Sequence, residues 1–398
     1  MLCNFGGVLK LNIKVNVYLM YIIVFLQGLV FYGPIATVYR QNRNLSLTNM
    51  FLIESISWIL MIIFEIPWGW FADKFGYKKT LIISNFIFFI SKIVFYKANS
   101  FGMFFLERVL LSVSLAGISG CDIALIYSSV KQEESEKVFG RYNAFSTSGY
   151  LVASIIFSIL VKQSMESTAF WTIIPYAAAA LLTLFIKDVN VQHEEKPKFK
   201  QSLLTALKNK SIIILVISFA LINEVVQVVG VFLNQSQYLR SGINIKYFGM
   251  LAVVMQIVRL SSIKAYKFSN KLGKHRSIEI LYIIIAICCT TLVFTSNATL
   301  TILSIILICG SAAIISPMIL DIENKSISTV DRATLLSVFA MFGDLTGAGV
   351  NVIIGKTADI STPSAFITCV AMCVCAYILF FVYKKKGVKE INIEERVN

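Results

Sequence analysis

Apolar runs of about 20 residues recur along almost the whole chain, and few folds accommodate them. A helix crossing a bilayer core needs about that many apolar residues. Twelve such runs are read, at about 15–38, 49–71, 80–97, 100–126, 142–161, 169–187, 211–236, 245–264, 278–296, 299–320, 334–356 and 364–383. Only 15% of the 398 residues are charged, against about 25% in a soluble domain. The fold class is therefore all-α integral membrane, with twelve transmembrane helices. The net charge of +14 would suit a nucleic-acid partner. However, the basic residues lie in short loops between apolar runs, so no nucleic-acid surface is expected.

The widest polar gap runs from 187 to 210 and divides the chain into two six-helix halves, 1–187 and 211–398, joined by a linker at 188–210. Residues 200–208 suit a short amphipathic surface helix. Loops on the N-terminal side hold 26 of the 36 Lys and Arg residues, and loops on the other side hold seven. By the positive-inside rule both termini are cytoplasmic, in a multi-pass protein of the plasma membrane. A short repeat supports the halves. Phe71-Ala72-Asp73-Lys74-Phe75-Gly76 lines up, 197 residues on, with Phe268-Ser269-Asn270-Lys271-Leu272-Gly273, and both copies follow the second span of their half. The first run is too long for a cleavable signal peptide. Seven of the eight cysteines lie in apolar runs and none shows ligand spacing, and the two histidines lie in polar loops, so neither metal nor cofactor is expected.

Between the second and third runs stands Gly69-Trp70-Phe71-Ala72-Asp73-Lys74-Phe75-Gly76-Tyr77-Lys78-Lys79-Thr80. Here one membrane helix must end and another begin. Gly76 supplies the turn, the lysines hold it in water, and Gly69 admits a neighbouring helix. The stretch resembles the signature loop of the major facilitator superfamily, with Tyr77 where a basic residue is usual. Glu65-Ile66-Pro67-Trp68-Gly69 resembles a bacterial, drug-efflux-like branch that usually reads Glu-Ile-Pro-Thr-Gly. Ser119-Gly120-Cys121-Asp122-Ile123-Ala124-Leu125-Ile126-Tyr127 resembles its fourth-helix pattern, and Arg332-Ala333-Thr334-Leu335-Leu336-Ser337 its entry into the eleventh helix. The resemblance implies that Asp73 caps the eleventh helix near Ala333 and that Asp122 pairs with Lys78, locking an outward-facing state. In that pattern Glu65 is structural.

Charges inside a membrane are costly and mark function. Glu224 lies 13 residues into its run, Asp344 10, Arg259 14 and Gln27 12, which places all four near the midplane. Gln227 shares a helix face with Glu224, and Arg108 lies about 12 Å deep. These six line a candidate cavity for substrate and proton. A competing reading makes Arg259 the structural ion-pair partner of Glu224 or Asp344. Glu54 and Lys92, nearer the outer face, are expected to snorkel. The spacings Gly343-x-x-x-Gly347 and Ala116-x-x-x-Gly120 are read as helix-packing devices. The fifth run, Gly149-Tyr150-Leu151-Val152-Ala153-Ser154, lacks the proline and glycine pair usual in exporters of the resembled family.

The expected function is secondary active transport by alternating access, as proton-coupled export of a small amphipathic organic compound. Uptake of a small nutrient is the alternative. A non-transporting sensor lacks a soluble domain here, and an intramembrane enzyme lacks a nucleophile–base constellation or phosphate loop. The expected partners are a small-molecule substrate, protons and the lipid bilayer, with the chain as a monomer.

Overall fold

Helices follow the apolar runs, and where they break there is a local cause. The computed structural model describes residues 5–130, 135–189, 210–325 and 332–397, with no strand among them. The expected linker helix at 200–208 lies outside the described residues. The chain forms two units. Unit 1 comprises Met1–Leu45, Ile56–Glu194 and Ile245–Val253; unit 2 comprises Ser46–Ser55, Glu195–Asn244 and Val254–Asn398.

Unit 1 starts with α1 (Phe5–Gly28). The first run does not continue as one helix to 38: a 3-10 turn (Gly33–Ile35) containing Pro34 leads into α2 (Ala36–Gln41). Then come α3 (Leu47–Phe75), α4 (Tyr77–Lys97), α5 (Phe101–Ile118), α6 (Cys121–Ser128), α7 (Ser135–Leu160) and α8 (Met165–Thr183). α4 packs on α5 and α8, and α1 on α7 and α8. Two glycines set the α1–α7 approach. A Cβ on Gly149 would run into the backbone oxygen of Phe25, and one on Gly28 would lie 2.6 Å from that of Ser146.

The glycine readings need correction in this unit. Gly120 does not pack against a neighbouring helix. It is exposed with φ +79 and nothing within 4 Å of its missing Cβ, and it breaks the fourth run between α5 and α6. The close contact is made by Gly117, whose Cβ would lie 2.8 Å from the Trp68 ring. Gly69 likewise meets open space. Gly76, by contrast, takes φ +87 at the start of α4, where a side chain would be strained.

Lys92 does not snorkel. Its side chain is buried within unit 1, with Nζ donating to the Tyr32 hydroxyl at 3.1 Å. Glu54 is buried too. Distance from a helix end limits depth but not the face a side chain takes, and both residues sit on inward faces.

Unit 2 contains α9 (Lys210–Gln227), a π-helical segment (Val228–Leu233) and α10 (Asn234–Arg240), which together make the seventh span. α11 (Phe248–Arg259), whose first part up to Val253 is counted with unit 1, passes through a 3-10 segment (Leu260–Lys264) into α12 (Ala265–Leu272). α13 (Lys274–Phe294), α14 (Ala298–Lys325), α15 (Arg332–Ile360) and α16 (Thr362–Val397) complete it. α9 packs on α16 and α15, and α13 on α14 and α16. The start of α3 is counted with this unit. Asp359 on α15 accepts the N–H groups of Leu47 at 2.8 Å and Thr48 at 3.1 Å, satisfying donors that a helix N-terminus leaves free.

The repeat found in the sequence has a structural counterpart. Gly273 takes φ +79 and starts the 21-residue α13, as Gly76 starts the 21-residue α4. The hydroxyls of Thr80 and Ser277 donate back to the carbonyls of Gly76 and Gly273 at 3.0 and 2.8 Å. Among the described residues, eleven helices are long and apolar enough to cross a membrane. α8 is the twelfth; it is less apolar because of Glu166, Ser167 and Thr168 in its first turn and Pro175 within it.

Candidate functional site

The site is built on the parallel pairing of α9 and α15 inside unit 2. Ala220 faces Gly343, and four residues further along both helices Glu224 faces Gly347. Equal steps in the same direction are what two parallel helices of the same period require. Gly347 makes the room: a Cβ there would lie 2.5 Å from Glu224 Oε2. The Gly343-x-x-x-Gly347 spacing therefore brings the helices together and also opens a seat for a carboxylate.

Glu224 stands at the centre of the span Lys210–Arg240 and is only 6% exposed. Its carboxylate faces the amide of the fully buried Asn351, close enough to interact though short of full hydrogen-bond geometry. Asp344, Gly347 and Asn351 are spaced three and four residues apart, so they form one stripe on α15. Glu54 and Asp344 are within electrostatic reach of Glu224, as is Cys369 on α16. An unpaired buried charge costs several kcal/mol or more. A carboxyl in such a place is held in check by its proton or by a cation.

Arg259 is not that cation in this structure. Among the described residues no ion pair joins it to Glu224 or Asp344. It ends α11 as an exposed side chain near Cys309 of α14. Gln227 is half-buried in the last turn of α9. Gln27 and Arg108 belong to unit 1. Gln27 donates to Asn85 Oδ1 at 2.6 Å, and Arg108 Nε donates to Ser57 Oγ at 3.2 Å. Of the six expected cavity residues, Glu224 and Asp344 are thus brought together. Glu54 and Asn351 join them, and neither was selected from the sequence. Asn351 had no charge to flag it.

The π segment starts four residues after Glu224. A π turn bonds each N–H to the carbonyl five residues back, which frees a carbonyl four back. Asn234 shows this: its backbone N–H goes to Val229, and its side-chain amide donates to Gly230 O at 2.9 Å. Gln235 Nε2 donates to Val231 O at 3.1 Å in the same way. These two are among the five residues, with Asn223, Glu224 and Gln227, that make the seventh span polar in sequence, and their amide groups serve its own backbone. Arg240 ends the span by donating to the last carbonyls of α13, those of Leu292 and Val293, at 3.1 and 3.2 Å.

The loop residues are placed as follows. Asp73 lies half-buried in the last turn of α3, Lys78 is half-buried, and Glu65 is exposed. Asp122 does not pair with Lys78 in this structure. One oxygen accepts from the Tyr142 hydroxyl at 2.8 Å and the other from the N–H of Ile123 at 2.7 Å. The break at Gly120 gives α6 its own N-terminus, and an acid in the first turn is favoured there. Ala333, the implied partner of Asp73, has a side chain outside the described residues.

Comparison with known proteins comes to the same fold. The chain is 24% identical to an uncharacterized transporter of Buchnera aphidicola over 200 residues, 49% of this chain and 50% of that protein. It is 24% identical to the quinolone resistance protein NorA of Staphylococcus aureus over 220 residues, 52% and 55% of the two chains. It is 23% identical to multidrug resistance protein 2 of Bacillus subtilis over 289 residues, 69% and 70%. The chain thus spans about half the length of the first two relatives. Among solved structures, the nucleoside transporter NupG superposes with a TM-score of 0.77 at 15% identity, over 93% of this chain and 98% of that one. A bacterial homologue of the human lysosomal transporter Spinster gives 0.72 at 15% identity, over 96% and 98%. The pattern of the Major Facilitator Superfamily matches residues 17–350, and with its helical spans and repeated glycine turns this chain belongs to that family of membrane transporters.

Proposed function

We propose that the protein is a secondary active transporter that exports a small amphipathic organic compound in exchange for protons, working as a monomer by alternating access of its two halves, 1–187 and 211–398. The observation that carries this reading is the Glu224 seat: a buried carboxyl at mid-span, given room by Gly347, with Glu54 and Asp344 in reach. Such a group changes charge only by taking up a proton or a cation. That makes it a fit element for coupling, because a gradient drives transport only through a difference in affinity between states. The similarity to the quinolone resistance protein NorA and to multidrug resistance protein 2 supports the direction.

The test is reconstitution into proteoliposomes with an imposed pH gradient and a fluorescent amphipathic dye. We expect dye movement against its own gradient, opposite to the proton flow, and collapse of that movement by a protonophore. Movement that ignores the protonophore would refute proton coupling. Movement in the same direction as the protons would favour uptake.

Orientation in the plasma membrane is part of the proposal, with both termini cytoplasmic. In a cysteine-depleted background, a cysteine replacing Asn44 or Asn297 is expected to react with an impermeant thiol reagent in intact cells. One replacing His193 should react only after lysis. The reverse pattern would overturn the orientation.

A further inference from the structure

Unit 1 holds a second buried charge cluster that the transport reading leaves unused. Lys92 is 4% exposed although it lies only five residues before the end of α4. A lysine so near a helix end ordinarily sends its head group to water. Here the ammonium turns inward over three aromatic rings, 4.9 Å from the centroid of Phe88, 5.0 Å from Tyr176 and 5.7 Å from Tyr32. The rings come from three elements: α4, α8 and the turn after α1. They are fixed independently of the lysine. The Tyr176 hydroxyl donates to the Gln27 carbonyl at 2.6 Å, and the Tyr32 ring stacks on Phe95 at 4.0 Å.

A buried carboxylate lies near this cage. Glu107 on α5 is 2% exposed and within electrostatic reach of Tyr176. Its Oε1 is buried without a hydrogen-bond partner among the described residues, and no ion pair joins it to Lys92. Of the other charged groups, Arg108 donates to Ser57, Glu166 at the start of α8 lies 3.9 Å from Arg43, and the Arg40 guanidinium lies over Phe95, 5.2 Å from its centroid. Aromatic faces plus a carboxylate with one oxygen open make the composition that recognises an organic ammonium ion.

We propose that the rings of Tyr32, Phe88 and Tyr176 with the Glu107 carboxylate form a binding site for a monovalent organic ammonium group, and that the amine of Lys92 is its tethered occupant. A primary alkylammonium compound takes this site in place of Lys92, not alongside it. The proposal is independent of export and of Glu224.

Lys92→Ala empties the cage and removes the atoms of n-propylammonium. The purified variant is expected to melt at a lower temperature than wild type. n-Propylammonium chloride should restore most of that loss, while 1-propanol and sodium chloride at equal concentration should not, and wild type should not respond. Adding Glu107→Gln to Lys92→Ala should abolish the response. No restoration, equal restoration by 1-propanol, or a response that survives Glu107→Gln would each overturn the proposal. Should Lys92→Ala fail to accumulate, Lys92→Met decides. A Met variant as stable as wild type shows that the slot needs only an apolar stem, which refutes the site. If the Met variant is destabilised, adding Glu107→Gln must recover stability, since it removes the carboxylate left without its cation; no recovery refutes it as well.

Discussion

Glu224→Gln is expected to abolish uphill movement of substrate while leaving downhill exchange across proteoliposomes intact. Glutamine has nearly the shape of glutamic acid, so the seat opposite Gly347 remains filled and the α9–α15 packing is kept. What it loses is the ability to gain and release a proton. With one proton exchanged per substrate, a gradient of one pH unit supports at most about tenfold accumulation, since tenfold corresponds to about 1.4 kcal/mol. Wild type should approach that limit, and the variant should stop at equal concentrations. Arg259 takes no part in this expectation, since it is exposed at the end of α11, away from both acids. Uphill transport by Glu224→Gln at the wild-type level would move the coupling role to Asp344.

Asp73→Asn should leave a folded, inserted protein with transport sharply reduced. Asp73 sits in the last turn of α3, where the helix dipole disfavours a negative charge by about 0.3–1 kcal/mol. A residue that breaks a local rule in this way is expected to serve something beyond its own helix. The role implied by the family resemblance, capping the eleventh span in one state of the cycle, is such a service. The purified variant should still show a folded protein's melting transition, with dye transport measured at equal protein. Transport close to wild type would show that Asp73 only helps to set topology.

The sequence made the spans legible because membrane thickness and helix rise leave little freedom. The glycine turns were equally legible, since glycine takes positive φ without steric cost and Gly76 and Gly273 both do so. Azimuth was not. Counting along a run places Lys92 near the outer end of α4 but does not say that Tyr32 and Tyr176, far away in sequence, close over it. The pairing of Arg259 was drawn on an unbroken helix, whereas α11 ends at that residue and tightens to 3-10 geometry. Gly120, read as a packing residue, breaks the helix instead, and Gly117 makes the close contact, for a similar reason. Spacing identifies small residues, but the break at Gly120 decides which of them meets a neighbour.

The π segment at Val228–Leu233 also bears on how this chain can be aligned with its relatives. A π turn accommodates about one residue more than an α-helix over the same rise. A homologue whose seventh span is α-helical throughout therefore needs a one-residue gap between positions 228 and 233. Without it, everything from Asn234 to Arg240 is compared with the wrong neighbour. The carboxylate at Glu224 stays in register while the amides of Asn234 and Gln235, which owe their placement to the bulge, do not. Substitution patterns at those two positions record the presence of the extra residue before they record anything about substrate.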